Sequence, residues 1–149
     1  MKVSSFMSAK VIAARPSDGI RRTFFRMRQH RVRHMPVLDE DGNLVGFISD
    51  RDLRRPNWVD ETMDIAHAYH LDDKLTVGDL MTTNVLVVHT YDTIKKAVGY
   101  FLEHRYGALP VMNKEEKLVG ILSAHDLLRA LDQLLDETRK KTRGSRKKA

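Results

Sequence analysis

At 149 residues the chain suits one ordinary domain or two small repeats sharing a core, and a chain of that length can bury about 68–70% of its unfolded surface without staples. It has no cysteine, which excludes a disulfide framework, a thiolate metal site and a cysteine nucleophile; no run approaches the ~20 apolar residues of a membrane span or forms a signal-peptide core, so a soluble cytoplasmic protein is expected. The net charge is +6, but seven basic residues (Arg139, Lys140, Lys141, Arg143, Arg146, Lys147 and Lys148) crowd the last eleven positions, so the body before them is close to neutral.

In chain order, Val11, Ile12, Ala13 and Ala14 form a short apolar run that suits a buried strand. Asp18 is placed to cap a helix whose apolar positions Ile20, Phe24 and Met27 follow at i, i+4 and i+7. Residues 35–38 read as a strand, DEDGN (39–43) as a polar turn and residues 44–48 as the second arm of a hairpin. That arm runs into Ser49 and a second helix. Between 56 and 76 lies an insert expected to be helical over 59–71. Within it Asp64, His67 and His70 are spaced for one helix face but lack further ligands for a metal.

The second half repeats the first. An ungapped shift of 74 residues aligns the 51 positions from Val3 with those from Val77, and 15 are identical, among them Met7/Met81, Asp18/Asp92, His30/His104, Arg31/Arg105, Pro36/Pro110, Gly46/Gly120, Ser49/Ser123 and Asp52/Asp126. The second copy predicts a strand over 85–88 and a helix after Asp92 with Ile94, Ala97, Val98, Phe101 and Leu102 on its apolar face. A hairpin of 109–112 and 118–122 and a last helix after Ser123 complete it. The expected fold is mixed α/β (α+β): two β-α-β-β-α repeats packed with pseudo-twofold symmetry, with boundaries at 1–55, 56–76 and 77–135. A basic tail, 136–149, is expected to be disordered because its like charges repel and it offers nothing apolar to bury.

The segments RHMPVLDEDGNLVGFISDRDL and GALPVMNKEEKLVGILSAHDL, each preceded by a Met-Ser or Met-Thr opening (Met7-Ser8, Met81-Thr82), resemble the tandem cystathionine-β-synthase (CBS) domain pair, or Bateman module. The whole chain looks like a stand-alone bacterial CBS-pair protein of the acetoin-utilisation type. The resemblance implies a regulatory homodimer that binds an adenosine-containing ligand (AMP, ADP, ATP, NAD or S-adenosylmethionine) in clefts between repeats, with no required cofactor and with a possible protein effector.

Ser49 and Asp52, like Ser123 and Asp126, have the spacing of a helix capping box, and capping alone accounts for it. A carboxylate there can also accept hydrogen bonds from two ribose hydroxyls. The resemblance assigns that role to Asp52 and Asp126, with Ser49 and Ser123 as both cap and contact. It further implies that the adenine edge is read by the backbone of Val11, Ile12 and Ala13 and of Val85, Leu86 and Val87. The family often carries a threonine where Ala13 and Val87 stand here. The ring slot would use Met35 and Pro36, and Ala108, Leu109 and Pro110; strand-entry geometry explains the prolines equally well. Arg33, His34 and Arg51 are the nearby cations for phosphate, whereas the second copy has Gly107, Ala108 and His125 there, so the two sites are chemically unequal. Arg21, Arg22, Arg26 and Arg28 read as a solvated helix face. His30 and His104 suit helix C-termini. No triad, phosphate-cradling glycine loop or acid pair argues for catalysis. The alternatives are nucleic-acid association through the basic tail, and a dimeric interaction module that needs no ligand.

Overall fold

The computed structural model describes residues 1–54 and 74–147; the insert helix and its Asp64, His67 and His70 lie outside the described residues. The chain forms two compact units, Val11–Leu86 (the first-repeat unit) and Met1–Lys10 with Val87–Ala149 (the second-repeat unit). These units are not the sequence repeats. Each repeat lends its opening segment to the body of the other.

In the first-repeat unit, α1 (Ile20–His30) precedes a hairpin of β1 (His34–Leu38) and β2 (Leu44–Ser49), followed by α2 (Asp50–Arg54). The hairpin is antiparallel, with Met35 opposite Ile48 and Val37 opposite Gly46. Strand alternation turns Met35 and Val37 inward, where they join Ala14, Ile20, Met27, Ile48, Leu53 and Val77 in one core. Val77 comes from the second repeat's opening, in α3 (Val77–Leu80). A capping box between Thr76 and Asp79 starts that helix, and the Val77 N–H donates to the Asp18 carbonyl at 2.8 Å. Thr82 and Phe47 exchange backbone hydrogen bonds of 2.9 and 3.0 Å.

The second-repeat unit repeats this plan with β3 (Val88–His89), α4 (Ile94–His104), β4 (Ala108–Met112), β5 (Leu118–Ser123) and α5 (Ala124–Arg146). β3 pairs parallel to β4, and β4 pairs antiparallel to β5. Here the first repeat's opening is the lent segment: a 3₁₀ turn at Val3–Ser5, then Ser8, which exchanges backbone bonds of 2.8 and 2.9 Å with Ile121. Both α1 and α4 end in an arginine in the left-handed conformation, Arg31 (φ 55°) and Arg105 (φ 54°), which turns the chain toward the hairpin.

Four expectations are corrected. Of the strand over 11–14, only Ala14 pairs with β1, and of that over 85–88 only Val88 continues into β3. The Arg26 guanidinium donates to the Ala13 carbonyl at 3.0 Å, so a side chain takes an acceptor that a longer ladder would use. The helix caps are Gly19 and Thr93 rather than Asp18 and Asp92. The two aspartates instead close the preceding turn, accepting from the Arg15 N–H at 2.9 Å and the His89 N–H at 2.8 Å. Leu102 lies 77% exposed rather than on the buried face of α4. The segment expected to be disordered continues α5 to Arg146. Lysine and arginine are good helix formers and sit favourably at a helix C-terminus, which offsets their mutual repulsion.

The lent segments need close backbone approach. A Cβ on Gly120 would lie 2.7 Å from Met7 Sδ and 2.9 Å from the Ser8 carbonyl oxygen; Gly46 meets Met81 and Thr82 in the same way. Gly120→Ala is therefore expected to destabilise the protein by about 1–3 kcal/mol, since the Ser8 backbone cannot move aside without breaking its pairing. Urea unfolding monitored by circular dichroism checks this, and an unchanged midpoint would contradict the close approach.

Candidate functional site

The junction where the last hairpin strand becomes a helix carries the predicted site in each unit. In the first-repeat unit the Ser49 N–H donates to Asp52 Oδ2 at 2.9 Å and the Asp52 N–H to Ser49 Oγ at 3.1 Å. In the second, the Ser123 N–H and Oγ donate to Asp126 Oδ2 at 2.8 and 2.9 Å, and the Asp126 N–H donates to Ser123 Oγ at 3.2 Å. Both serine–aspartate pairs thus form reciprocal caps, and in both the aspartate does so through Oδ2. Asp126 is more committed: its Oδ1 lies 3.3 Å from Arg129, whose guanidinium also donates to the Phe6 carbonyl at 2.9 Å. It is nearly buried, at 9% exposure, while Asp52 is half-buried.

Beside the first junction opens a cleft of about 450 Å³ lined by Arg33, Asp50, Arg51 and Arg54. β1 brings Arg33 to its rim, and the Asp50 N–H donates to the Arg33 carbonyl at 2.9 Å, tying the strand entry to the helix start. Arg51 and Arg54 are one turn apart on α2, and Arg54 sits 3.7 Å from Asp50. Three guanidinium groups against one carboxylate make the cleft suited to an anion. Asp50 and Arg54 were not singled out in the sequence, although the i, i+3 spacing of Arg54 from Arg51 carries the signal. The equivalent positions in the second repeat are Gly107, Ala124, His125 and Leu128, so the chemical inequality expected from the sequence holds for all four lining residues.

His34, expected among the nearby cations, is held in the packing. Its ring stacks on Phe47 (centroids 5.7 Å apart, 13° between planes), and burial lowers its pKa below 6.5 despite the opposing pull of Asp50 and Asp52. Met35 and Leu109 are core residues with 0% and 2% exposure, and Pro36, Ala108 and Pro110 beside them in β1 and β4 are buried as well. Val11, Ile12 and Ala13 lie half-buried in the first-repeat unit, where Arg26 engages the Ala13 carbonyl; Val85 and Leu86 end that unit, and Val87 begins the second segment of the other. His125 is exposed on the first turn of α5.

The second-repeat unit holds a separate polar cluster. Burial alone would raise the Asp92 carboxyl, but bonds from Lys96 Nζ (2.9 Å) and the His89 N–H (2.8 Å) outweigh it and hold its pKa low. Among the described residues no group of three or more metal-ligating side chains forms, and no helix is long and apolar enough to cross a membrane.

Fold and site together define a tandem-repeat α/β module whose strand-to-helix junctions are capped by serine–aspartate pairs, one of them beside a cationic cleft. The chain belongs to the CBS domain family: the family's model matches residues 3–57 and again 77–133, which makes it a CBS pair. It is 33% identical to the CBS domain-containing protein CBSX1 of Arabidopsis thaliana, with 89% of this chain aligned; it spans 64% of that relative's length. Among solved structures, CBSX2 from Arabidopsis thaliana superposes with a TM-score of 0.77 at 29% identity, covering 91% of this chain and 96% of that one. A structure of CBSX2 in complex with AMP superposes with a TM-score of 0.71 at 30% identity, covering 89% and 97%.

The lowered pKa of half-buried His34 makes stability pH-dependent. A histidine whose folded pKa lies below its unfolded value binds fewer protons when folded, so stability is full above pH 6.5 and falls as the pH drops from there through the folded pKa. The His34→Asn variant is expected to lose less unfolding free energy than the native chain between pH 7.5 and pH 5, measured by urea titration at each pH. Parallel curves would refute the assignment.

Proposed function

We propose that the protein is a non-catalytic regulatory module that binds an adenosine nucleotide, with its anionic end in the Arg33–Asp50–Arg51–Arg54 cleft. The single observation that carries the proposal is that cleft, three arginines converging beside the Ser49–Asp52 junction in a CBS pair. The AMP complex of the similar CBSX2 supports the ligand class. The ribose falls to Asp52, whose cap uses Oδ2 and leaves Oδ1 to turn toward a diol; Asp126, with both oxygens engaged by Ser123 and Arg129, is the weaker candidate. Three guanidinium groups favour a di- or triphosphate over a monophosphate, since each charge-assisted hydrogen bond adds binding energy. The module works as a homodimer and acts on an effector by shifting an equilibrium between two packings, to the extent that ligand prefers one of them.

Calorimetric titration with AMP, ADP, ATP, NAD and S-adenosylmethionine, after removal of co-purified nucleotide, tests the reading. Saturable binding strongest for ATP or ADP is expected. Arg51→Ala, which removes an exposed side chain outside the core, should weaken that binding about tenfold or more, by the loss of one charge-assisted hydrogen bond. Deleting 139–149 should leave it unchanged. Absence of heat and of thermal stabilisation with all five ligands would overturn the nucleotide reading in favour of a ligand-independent interaction module.

A further inference from the structure

Ala130 is the last buried residue of α5, and every residue from Leu131 to Lys147 is exposed. The helix nevertheless continues to Arg146, so roughly 24 Å of it faces solvent on all sides at 1.5 Å per residue. Two chemistries run along this stretch. Leu131, Leu134 and Leu135 are 49%, 49% and 59% exposed, and Thr138 and Thr142 follow them at helical spacing on the same side. Both threonine hydroxyls are engaged inside the helix: Thr138 Oγ1 donates to the Leu134 carbonyl at 2.9 Å, and Thr142 Oγ1 to the Thr138 carbonyl at 3.0 Å. Their methyl groups are left to prolong the apolar stripe beyond the leucines. By the same helical geometry Arg139, Lys141 and Arg146 flank the stripe, while the acids Asp132, Asp136 and Glu137 lie away from it. Among the described residues no ion pair neutralises a cation of 139–147.

We infer that this end of α5 lies flat on an anionic phospholipid surface, with the leucine–threonine stripe at the boundary of headgroups and acyl chains and the cations on the lipid phosphates. The inference is independent of the nucleotide and homodimer readings. Three leucines and two methyl groups hold a bilayer weakly by themselves, and so does a cationic segment. Side by side on one helix they supply the two signals that together anchor a chain at a membrane surface. The arginine and lysine stems at the edges of the stripe are long enough to keep their heads at the phosphates while the stripe goes deeper. The acids, turned away from the stripe, stay in water. Nucleic acid answers only half of this pattern: its phosphates suit the cations, but the leucines remain in water, and residues 124–149 contain no Phe, Tyr or Trp to stack on bases. The contact is with the surface alone, since among the described residues no helix is long and apolar enough to cross a membrane.

The full chain is sedimented with vesicles of phosphatidylcholine alone and with vesicles of phosphatidylcholine and phosphatidylserine in equal parts. Binding about tenfold tighter, or more, is expected on the anionic vesicles, and it should weaken as salt is raised. Leu134→Gln combined with Leu135→Gln, both at exposed positions, keeps every charge and should weaken that binding about tenfold, with the helix retained by circular dichroism. Deleting 139–149 should remove the preference for phosphatidylserine. The chain has no native cysteine, so one introduced thiol can carry a polarity-sensitive dye. On Leu134→Cys the emission should rise and shift to the blue with anionic vesicles; on Asp136→Cys, across the helix, it should not. Equal responses at the two positions, or undiminished binding by the leucine variant, would overturn the inference and leave only unspecific attraction of cations. Binding to a DNA duplex that exceeds vesicle binding and ignores the leucine change would overturn it in favour of nucleic acid. A fall in light-scattering mass on making the leucine variant would overturn it too, by assigning the stripe to contact between copies. Nucleotide titration of the same variants should match the native chain, so failure here leaves the nucleotide reading untouched.

Discussion

Everything in this protein is built around the approach of one repeat's opening segment to the hairpin of the other. Ser8 pairs with Ile121 and Thr82 with Phe47, and in both places a hairpin glycine, Gly120 or Gly46, leaves room for the incoming methionine and its backbone. The pairing saturates hairpin backbone groups that would otherwise lie on an exposed edge. It also delivers Val3 and Val77 into cores that are not those of their own repeats. Because the exchange is reciprocal, neither repeat can complete its core from its own residues. The folding unit is the pair.

On that shared frame the two repeats have diverged where the frame does not constrain them. The capping pairs Ser49–Asp52 and Ser123–Asp126, the left-handed arginines Arg31 and Arg105 and the buried strands are alike, because each satisfies a backbone or packing demand common to both units. The lining of the junction cleft and the outer helix faces meet no such demand. There the first repeat carries arginines, Asp50 and phenylalanines, and the second carries glycine, alanine, valine, leucine and His125. Among the described residues the first repeat thus carries a cationic cleft whose lining has no like counterpart in the second.

At the junctions the side chains proposed for ligand chemistry also serve structure. A serine and an aspartate that cap a helix hold each other in one geometry, and a carboxylate fixed through one oxygen is already oriented for whatever the other can reach. Asp126 shows the other outcome: the exposed Arg129 takes Oδ1, so both carboxylate oxygens are engaged, and the same guanidinium ties down the Phe6 carbonyl. His34, placed by strand alternation against Phe47, becomes part of the packing, and desolvation there lowers its pKa.

The sequence by itself determined the repeat, its 74-residue offset, both hairpins, the helices after Asp18 and Asp92, and the capping boxes, since these rest on local periodicity and on spacings of three or four residues. It also showed that Gly107 and His125 stand in the second copy where Arg33 and Arg51 stand in the first. What only the tertiary structure decided were relations between residues far apart in the chain. These include the exchange of openings that joins Thr82 to Phe47 and Ser8 to Ile121, the engagement of the Ala13 carbonyl by Arg26 in the shortened first strand, the desolvation that lowers the His34 pKa and the exposure of Leu102. The basic end of α5 was misread for a related reason. Composition registers the repulsion among its cations, but the helix they extend begins at Ala124, where the Ser123–Asp126 cap and the buried Ala130 nucleate it, and propagating an existing helix is far easier than starting one.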